Sequence, residues 1–421
     1  MRNIFHQYNQ NENRLTHALV SALAEDKGLC RDFVIWATGK KNPPSSIHLL
    51  EQQLVGEDEL SEDEAEKRGL PDAWLHDDDS WSLLLESKVA ASLTKDQLVR
   101  HYNTASRRGF DDITVLALCV KSQKLSLPDY VICRTWSECY SWLKRQSKKS
   151  TWAARVAHYF EAAEAAWAAE GYLTEGTLTV FTGIPFTNQY PYNYREAKLY
   201  LRQAMDELRQ RKDIARKLSI APDMRGRGAI TGRSGTGVWD VIQLRQTHGA
   251  GNFTTYPHLT FGLNRDQVAA IVVVPNGLKT PLRKNLLNLG EDGFIDMMSE
   301  INKNFAPLLK IPDVAPVASL VQRRFISRRG PSVTDASLEF DLRTAFSSGS
   351  RSKVRVQPEW IKAAYQALSN RKSNMAFSVG MRFPYRDGSI TNDVRVLDRV
   401  SEAWIACKPL IDCILGSSSK S

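Results

Sequence analysis

Hydrophobic residues recur at helical spacing from Asn11 to Asp26, where Leu15, Ala18, Leu19, Ala22 and Leu23 share one side and Gly28 supplies a stop. Glu12 stands in the first turn of that predicted helix. From Ile47 to Arg68 the chain carries Leu49, Leu50 and Leu54 and then an acidic run between Glu57 and Glu66, which reads as a solvated helix or loop. The spacing then shortens. Residues 72–76 and 81–89 give two strand signals, and the polar cluster Asp77-Asp78-Asp79-Ser80 between them suits a hairpin turn. A helix is predicted from Leu93 to Asn103. Residues 113–120 are too continuously apolar for a strand with one wet face and so belong in the middle of a covered sheet. Tyr130 to Arg134 repeats that signal, and a helix from Ser137 ends near the basic run 144–150, the best candidate boundary. Helix, hairpin, helix, strand, strand and helix in this order predict an α/β sandwich of about 150 residues.

Trp152 to Glu170 is an alanine-rich amphipathic helix closed by Gly171, placed so as to connect or clamp two halves. Beyond it, strands are predicted at 177–181, 258–263, 268–274 and 375–381, and helices at 194–218, 293–309, 358–369 and 393–415. The expected organisation is a catalytic α/β domain over 1–148, a connecting helix over 149–172 and a basic α/β region over 173–421. Phe181 to Phe186 and Phe377 to Tyr385 look alike, which either an internal duplication or chance explains.

Composition narrows the picture. The chain has 421 residues, 42% hydrophobic and 24% charged, the balance of a globular protein of two to three domains. No stretch reaches the roughly 18 uncharged apolar residues of a membrane span, and Met1 to Gln7 lacks the apolar core of a signal peptide, so a cytoplasmic protein without membrane attachment is expected. The six cysteines include no C-x-x-C pair, which indicates neither a zinc site nor a disulfide framework. Charge is uneven. Residues 1–150 carry 20 Lys and Arg against 22 Asp and Glu, whereas the remaining 271 carry 36 against 25. That excess favours a polyanionic partner, nucleic acid or an anionic membrane face, or else serves solubility alone.

The chemistry concentrates around Pro71-Asp72 and Glu86-Ser87-Lys88. Glu86 and Lys88 are two apart on a strand and leave the same face, where an Asp from the paired strand can converge with them. Two such carboxylates can hold a hard cation such as Mg2+, with Mn2+ as a substitute, and the lysine adds a point charge. Pro-Asp occurs four times in the chain and Glu-x-Lys three times, yet only this pairing puts one on a strand directly after the other. A charged pair inside Leu-Leu-Leu-Glu-Ser-Lys-Val is costly unless it meets partners, metal or water. An ion pair on a wet edge strand is the other reading.

These residues resemble the PD-(D/E)xK nuclease superfamily, whose restriction-endonuclease-like core is an αβββαβ arrangement, over roughly residues 1–145. The resemblance implies Asp72 and Glu86 as metal ligands, Lys88 as the catalytic lysine, and Glu12 as the acidic residue of the first helix, which could instead serve the helix dipole. It further implies Gln97 near the metal and Tyr102 beside substrate, although Tyr102 could equally pack on the sheet; Arg100, Arg107 and Arg108 could touch phosphate or equally be solvated. In the basic region, Arg225, Arg227 and Arg233 lie among glycines in a segment suited either to gripping a nucleic-acid backbone or to a plain surface loop.

The expected function is Mg2+-dependent endonucleolytic cleavage of DNA. By analogy the chain looks like a prokaryotic restriction or anti-phage defence effector, with a homodimer and a defence-system partner protein as possible associates. The competing expectation is a catalytically silent protein that binds nucleic acid or a partner on the same fold.

Overall fold

A computed structural model describes residues 5, 8–53, 55, 70–90, 92–121, 127–174, 176–218, 230–231, 236–244, 253–326, 332–346, 354–370 and 375–416. The acidic run of residues 57–66 and Arg225, Arg227 and Arg233 lie outside them. The protein is mixed α/β, with two sheets among the described residues, and divides into two compact units, Met1–Val180 and Phe181–Ser421.

In the first unit, α1 spans Asn11–Glu25, but Gly28 does not end the helical region. The chain bends at Asp26, whose carboxylate accepts the Leu29 N–H at 2.9 Å and caps a second helix, α2 (Lys27–Thr38). The segment read as helix or loop after Ile47 contains a short strand, β1 (His48–Glu51). It pairs antiparallel with β2 (Ala73–His76), which pairs antiparallel with β3 (Trp81–Lys88). The Asp triplet does turn chemistry: Asp77 Oδ1 accepts the N–H groups of Asp79, Ser80 and Trp81, and Asp78 takes a positive φ of 65°.

A crossover helix, α3 (Lys95–Arg107), leads to β4 (Asp112–Cys119), which runs parallel to β3, and β5 (Val131–Thr135) runs parallel to β4. The sheet order β1-β2-β3-β4-β5 places β3 at the centre, and β4 is buried at every position but Asp112. Alternation along β3 divides the core. Leu83 and Leu85 pack with α1, α2, α4 (Trp136–Gln146) and α5 (Thr151–Ala169), while Leu84 packs with Leu98 and Ala105 of α3. The helix expected to connect two halves is thus part of the first unit: Val156, Tyr159, Phe160, Ala163 and Trp167 of α5 lie in its core, and the division falls at Val180 rather than in the basic run.

The second unit has its own core around an antiparallel sheet of β6 (Ile230–Thr231), β7 (Gly237–Gln243), β8 (His258–Asn264), β9 (Gln267–Val274), β10 (Ala315–Phe325), β11 (Ser332–Asp341) and β12 (Met375–Pro384). Its order is β11-β10-β12-β9-β8-β7-β6. The helices are α6 (Tyr194–Gln210), α7 (Lys212–Leu218), α8 (Thr280–Leu287), α9 (Gly290–Asn304), α10 (Glu359–Ser369), α11 (Val396–Ala406) and α12 (Lys408–Leu415). Two predicted helices are therefore broken. Arg211 adopts an extended conformation between α6 and α7, and Pro409, which lacks the N–H that would continue α11, opens α12. The two look-alike segments differ in structure: Phe377 to Pro384 belongs to β12, between β10 and β9, whereas Phe181 to Phe186 is not a strand. The aromatic run beside the latter packs on itself, with Phe186 fully buried against Tyr190, Tyr192, Tyr200 and Tyr385. None of the six cysteines forms a disulfide, and no helix among the described residues is long and apolar enough to cross a membrane.

Candidate active site

At the end of β3 the first unit gathers five of the residues singled out by sequence. Asp72 directly precedes β2, and its Oδ2 accepts the Ser87 N–H at 2.6 Å, which ties the two strands together at this point. Glu86 and Lys88 leave the same face of β3, with Lys88 Nζ 2.7 Å from Glu86 Oε1. Glu12 does not merely serve its helix terminus. Its Oε1 lies 3.2 Å from Lys88 Nζ and its Oε2 accepts the Val89 N–H at 2.6 Å, so the start of α1 is pinned to the end of β3. From the opposite side α3 presents Gln97, whose Nε2 donates to Glu86 Oε1, and His101, whose Nε2 lies 2.8 Å from Glu86 Oε2.

His101 escaped the sequence reading. Its signal was spacing: it follows Gln97 by four residues, so both share the face of α3 that lies over Glu86. Tyr102, one residue further round the helix, stacks on Tyr130 with ring centroids 4.0 Å apart and contributes to the α3 side of the core, as its packing alternative requires. Arg100 is exposed on α3.

Electrostatics follow from burial. Glu12, Asp72 and Glu86 set three carboxylates against the single Lys88 ammonium, a net charge of −2 when all are ionised. Burial, and next the negative charge of Glu86, push the Asp72 carboxyl well above its usual range, and the Ser87 N–H and Lys88 only partly offset them. For Glu86, only 1% exposed, burial acts upward too, but His101 and Lys88 outweigh it and hold the group below the usual glutamate range. Lys88 is the reverse case. Burial would lower it, yet Glu86, Glu12 and Asp72 together hold it above the ordinary lysine value, so it is a fixed ammonium rather than a proton acceptor.

Among the described residues, no group of three or more His, Cys, Asp or Glu side chains could hold a metal ion by itself. The donors present are nevertheless hard oxygens with unbalanced negative charge, and Asp72 Oδ1 makes no hydrogen bond among the described residues. Such a set fits Mg2+, which is commonly bound by one or two carboxylates with water and substrate phosphate completing its shell. No protein-family model matches the chain, and no curated protein matches it.

Beside Lys88 opens a pocket of about 330 Å3, lined by residues at the ends of β3 and β4 and by the segment after α5. Tyr172 in that segment is held above the usual tyrosine range by burial and by the negative charge of Glu12, which keeps its hydroxyl protonated.

Proposed function

We propose that the first unit is a divalent-cation-dependent nuclease that hydrolyses phosphodiester bonds in DNA, in the manner of the PD-(D/E)xK superfamily. The observation that carries this reading is the convergence of Asp72, Glu86, Lys88 and Glu12 at the end of a central strand, with Gln97 and His101 behind Glu86. The succession of two helices, three antiparallel strands, helix and parallel strand supports a restriction-endonuclease-like core in which α2 is an addition.

Asp72 and Glu86 would hold the cation, which when bound supplies Lewis acidity toward the phosphodiester and acidifies a water. Lys88 remains an ammonium and offsets negative charge developing on the phosphoryl oxygens. Glu12 positions Lys88, while Gln97 and His101 fix the rotamer of Glu86. The second unit, whose residues 181–421 carry 35 Lys and Arg against 21 Asp and Glu, would add sequence-independent affinity for a polyanion.

A second reading has one observation in its favour: both Glu86 oxygens are already engaged by Lys88, Gln97 and His101, as they would be in a silent nucleic-acid-binding protein on this fold. Incubation of the purified chain with plasmid, single-stranded DNA and RNA, in Mg2+ or chelator, separates the two. Metal-dependent cleavage that drops on the order of a hundredfold or more in Glu86→Ala and Lys88→Ala is expected. Cleavage by both variants at the parent rate removes the activity from this site.

A further inference from the structure

The pocket beside Lys88 has two walls of different origin. One is the sheet itself, with Lys88, Val89, Cys119 and Lys121 at the ends of β3 and β4; the other is made by Tyr172, Leu173, Thr174 and Thr177. The second wall is firmly built. Just past the end of α5, Gly171 takes a left-handed conformation, φ 77°, and the Tyr172 N–H turns back to the Trp167 carbonyl at 2.8 Å. This turn sets the Tyr172 ring edge-on to Trp167, with centroids 5.9 Å apart and planes at 74°.

Further along, the buried carboxylate of Glu164 accepts the N–H groups of Gly176, Leu178 and Thr179 and the Thr179 hydroxyl. The predicted strand at 177–181 does not form because these N–H groups are given to Glu164 instead of a neighbouring strand. A buried anion with four donors thus fixes a surface segment whose outer feature is an aromatic ring 40% exposed. That ring shares one small opening with the Lys88 and Lys121 side chains.

We propose that this pocket seats one nucleotide of a single-stranded nucleic acid, its base stacked on Tyr172 and its phosphate toward Lys88 and Lys121. The assignment rests on the nuclease reading and narrows its substrate to unpaired strands. Chemistry favours it, because an aromatic ring 40% exposed in one opening with two lysine side chains can stack on unpaired bases of any sequence. A base inside a duplex offers no face to Tyr172 until it is extruded from the stack.

The test measures binding separately from cleavage. Fluorescence anisotropy with a cleavage-resistant phosphorothioate oligonucleotide is recorded in Mg2+ for single-stranded DNA, single-stranded RNA and blunt duplex, using the parent chain, Tyr172→Ala and Tyr172→Trp. Tyr172→Ala should weaken single-strand binding by about tenfold or more, Tyr172→Trp should retain it, and duplex binding should move little. The DNA and RNA arms identify the sugar that the pocket accepts. Equal single-strand affinity in the parent and Tyr172→Ala, or an equal loss in the duplex arm, overturns the assignment. Cleavage assays run in parallel keep the two failures apart. A chain that binds single strands through Tyr172 but cuts nothing sinks the nuclease reading alone, whereas one that cuts single strands at the parent rate without Tyr172 sinks the pocket alone.

Discussion

His101 Nε2 lies 2.8 Å from Glu86 Oε2, and each residue is only 1% exposed. A contact so closed to water fixes the carboxylate, and loss of such a supporting partner typically costs about 10–100-fold in metal affinity. His101→Ala should therefore raise the Mg2+ concentration for half-maximal cleavage by about that factor, and His101→Gln, which keeps a donor, should lose less. Titration of Mn2+ binding by electron paramagnetic resonance gives the same comparison without turnover. An unchanged metal affinity in His101→Ala contradicts the positioning role.

Asp72 carries a charge that the fold disfavours. Its folded pKa is raised by burial and by Glu86. The penalty is absent below the unfolded value, about 3.9, and is fully present once pH exceeds the raised folded value. Asp72→Asn keeps an acceptor for the Ser87 N–H and removes the penalty. Without divalent cations this variant should melt higher than the parent at neutral pH by about 2–4 °C for each kcal/mol relieved. Added Mg2+ should raise the parent's melting temperature and leave the variant's unmoved, and cleavage should be lost. A variant that melts lower than the parent in chelator overturns the argument.

Glu161 gives a pH dependence of the opposite sign. Burial pushes its carboxyl up, but hydrogen bonds from His158 and Tyr140 and the charge of Lys144 prevail and hold it below the usual glutamate range. Its contribution is fully present above the unfolded value, about 4.3, and is lost as pH falls through the lower folded value. Seven of the ten tryptophans lie in the first unit, so intrinsic fluorescence reports mainly on that unit. Urea unfolding followed in this way should show Glu161→Gln less stable than the parent by about 1–2 kcal/mol at pH 7. The difference should shrink below about pH 4. A difference that persists unchanged in acid would exclude the carboxylate's charge as its source.

In the second unit, Arg209 and Asp240 form an ion pair with exposures of 4% and 3%, and Asp240 Oδ1 also accepts the Val241 N–H at 2.8 Å. Asp206 also lies 3.3 Å from Arg209 Nη1 but is partly exposed, so removing Asp240 takes away the buried countercharge of Arg209. Asp240→Ala should destabilise this unit by about 3–5 kcal/mol, while the apolar pair Arg209→Met with Asp240→Leu should cost far less. Urea unfolding followed by far-ultraviolet circular dichroism checks both, and equal losses in the single and double variants would refute a stranded-charge origin.

The chain announced its strongly patterned elements. The helix beginning at Asn11, the hairpin around the Asp triplet and the buried strand at Asp112–Cys119 were legible because burial on one or both sides leaves an unmistakable apolar period. β1 was missed because four residues with an exposed start carry too little period, and α2 because Asp26 ends one helix and caps the next. β11 was missed because Thr334, Asp335, Ala336 and Ser337 are exposed, so nothing in their sequence had to be apolar. At the candidate site, the residues on β2, β3 and α1 were visible as charges that apolar strands do not tolerate alone, but His101 was hidden behind Tyr102, the more conspicuous neighbour.

The parallel pairing of β3 with β4 has a consequence for how the first unit assembles. A parallel neighbour cannot be added by a tight turn, so the chain must lay α3 across the sheet before β4 can dock. Because α3 brings both Gln97 and His101, Glu86 has only Lys88 of these three partners, from its own strand, until α3 docks. A nascent chain stalled before this helix would hold a half-built sheet whose central strand carries a carboxylate countered by Lys88 alone, which disfavours premature collapse around that strand.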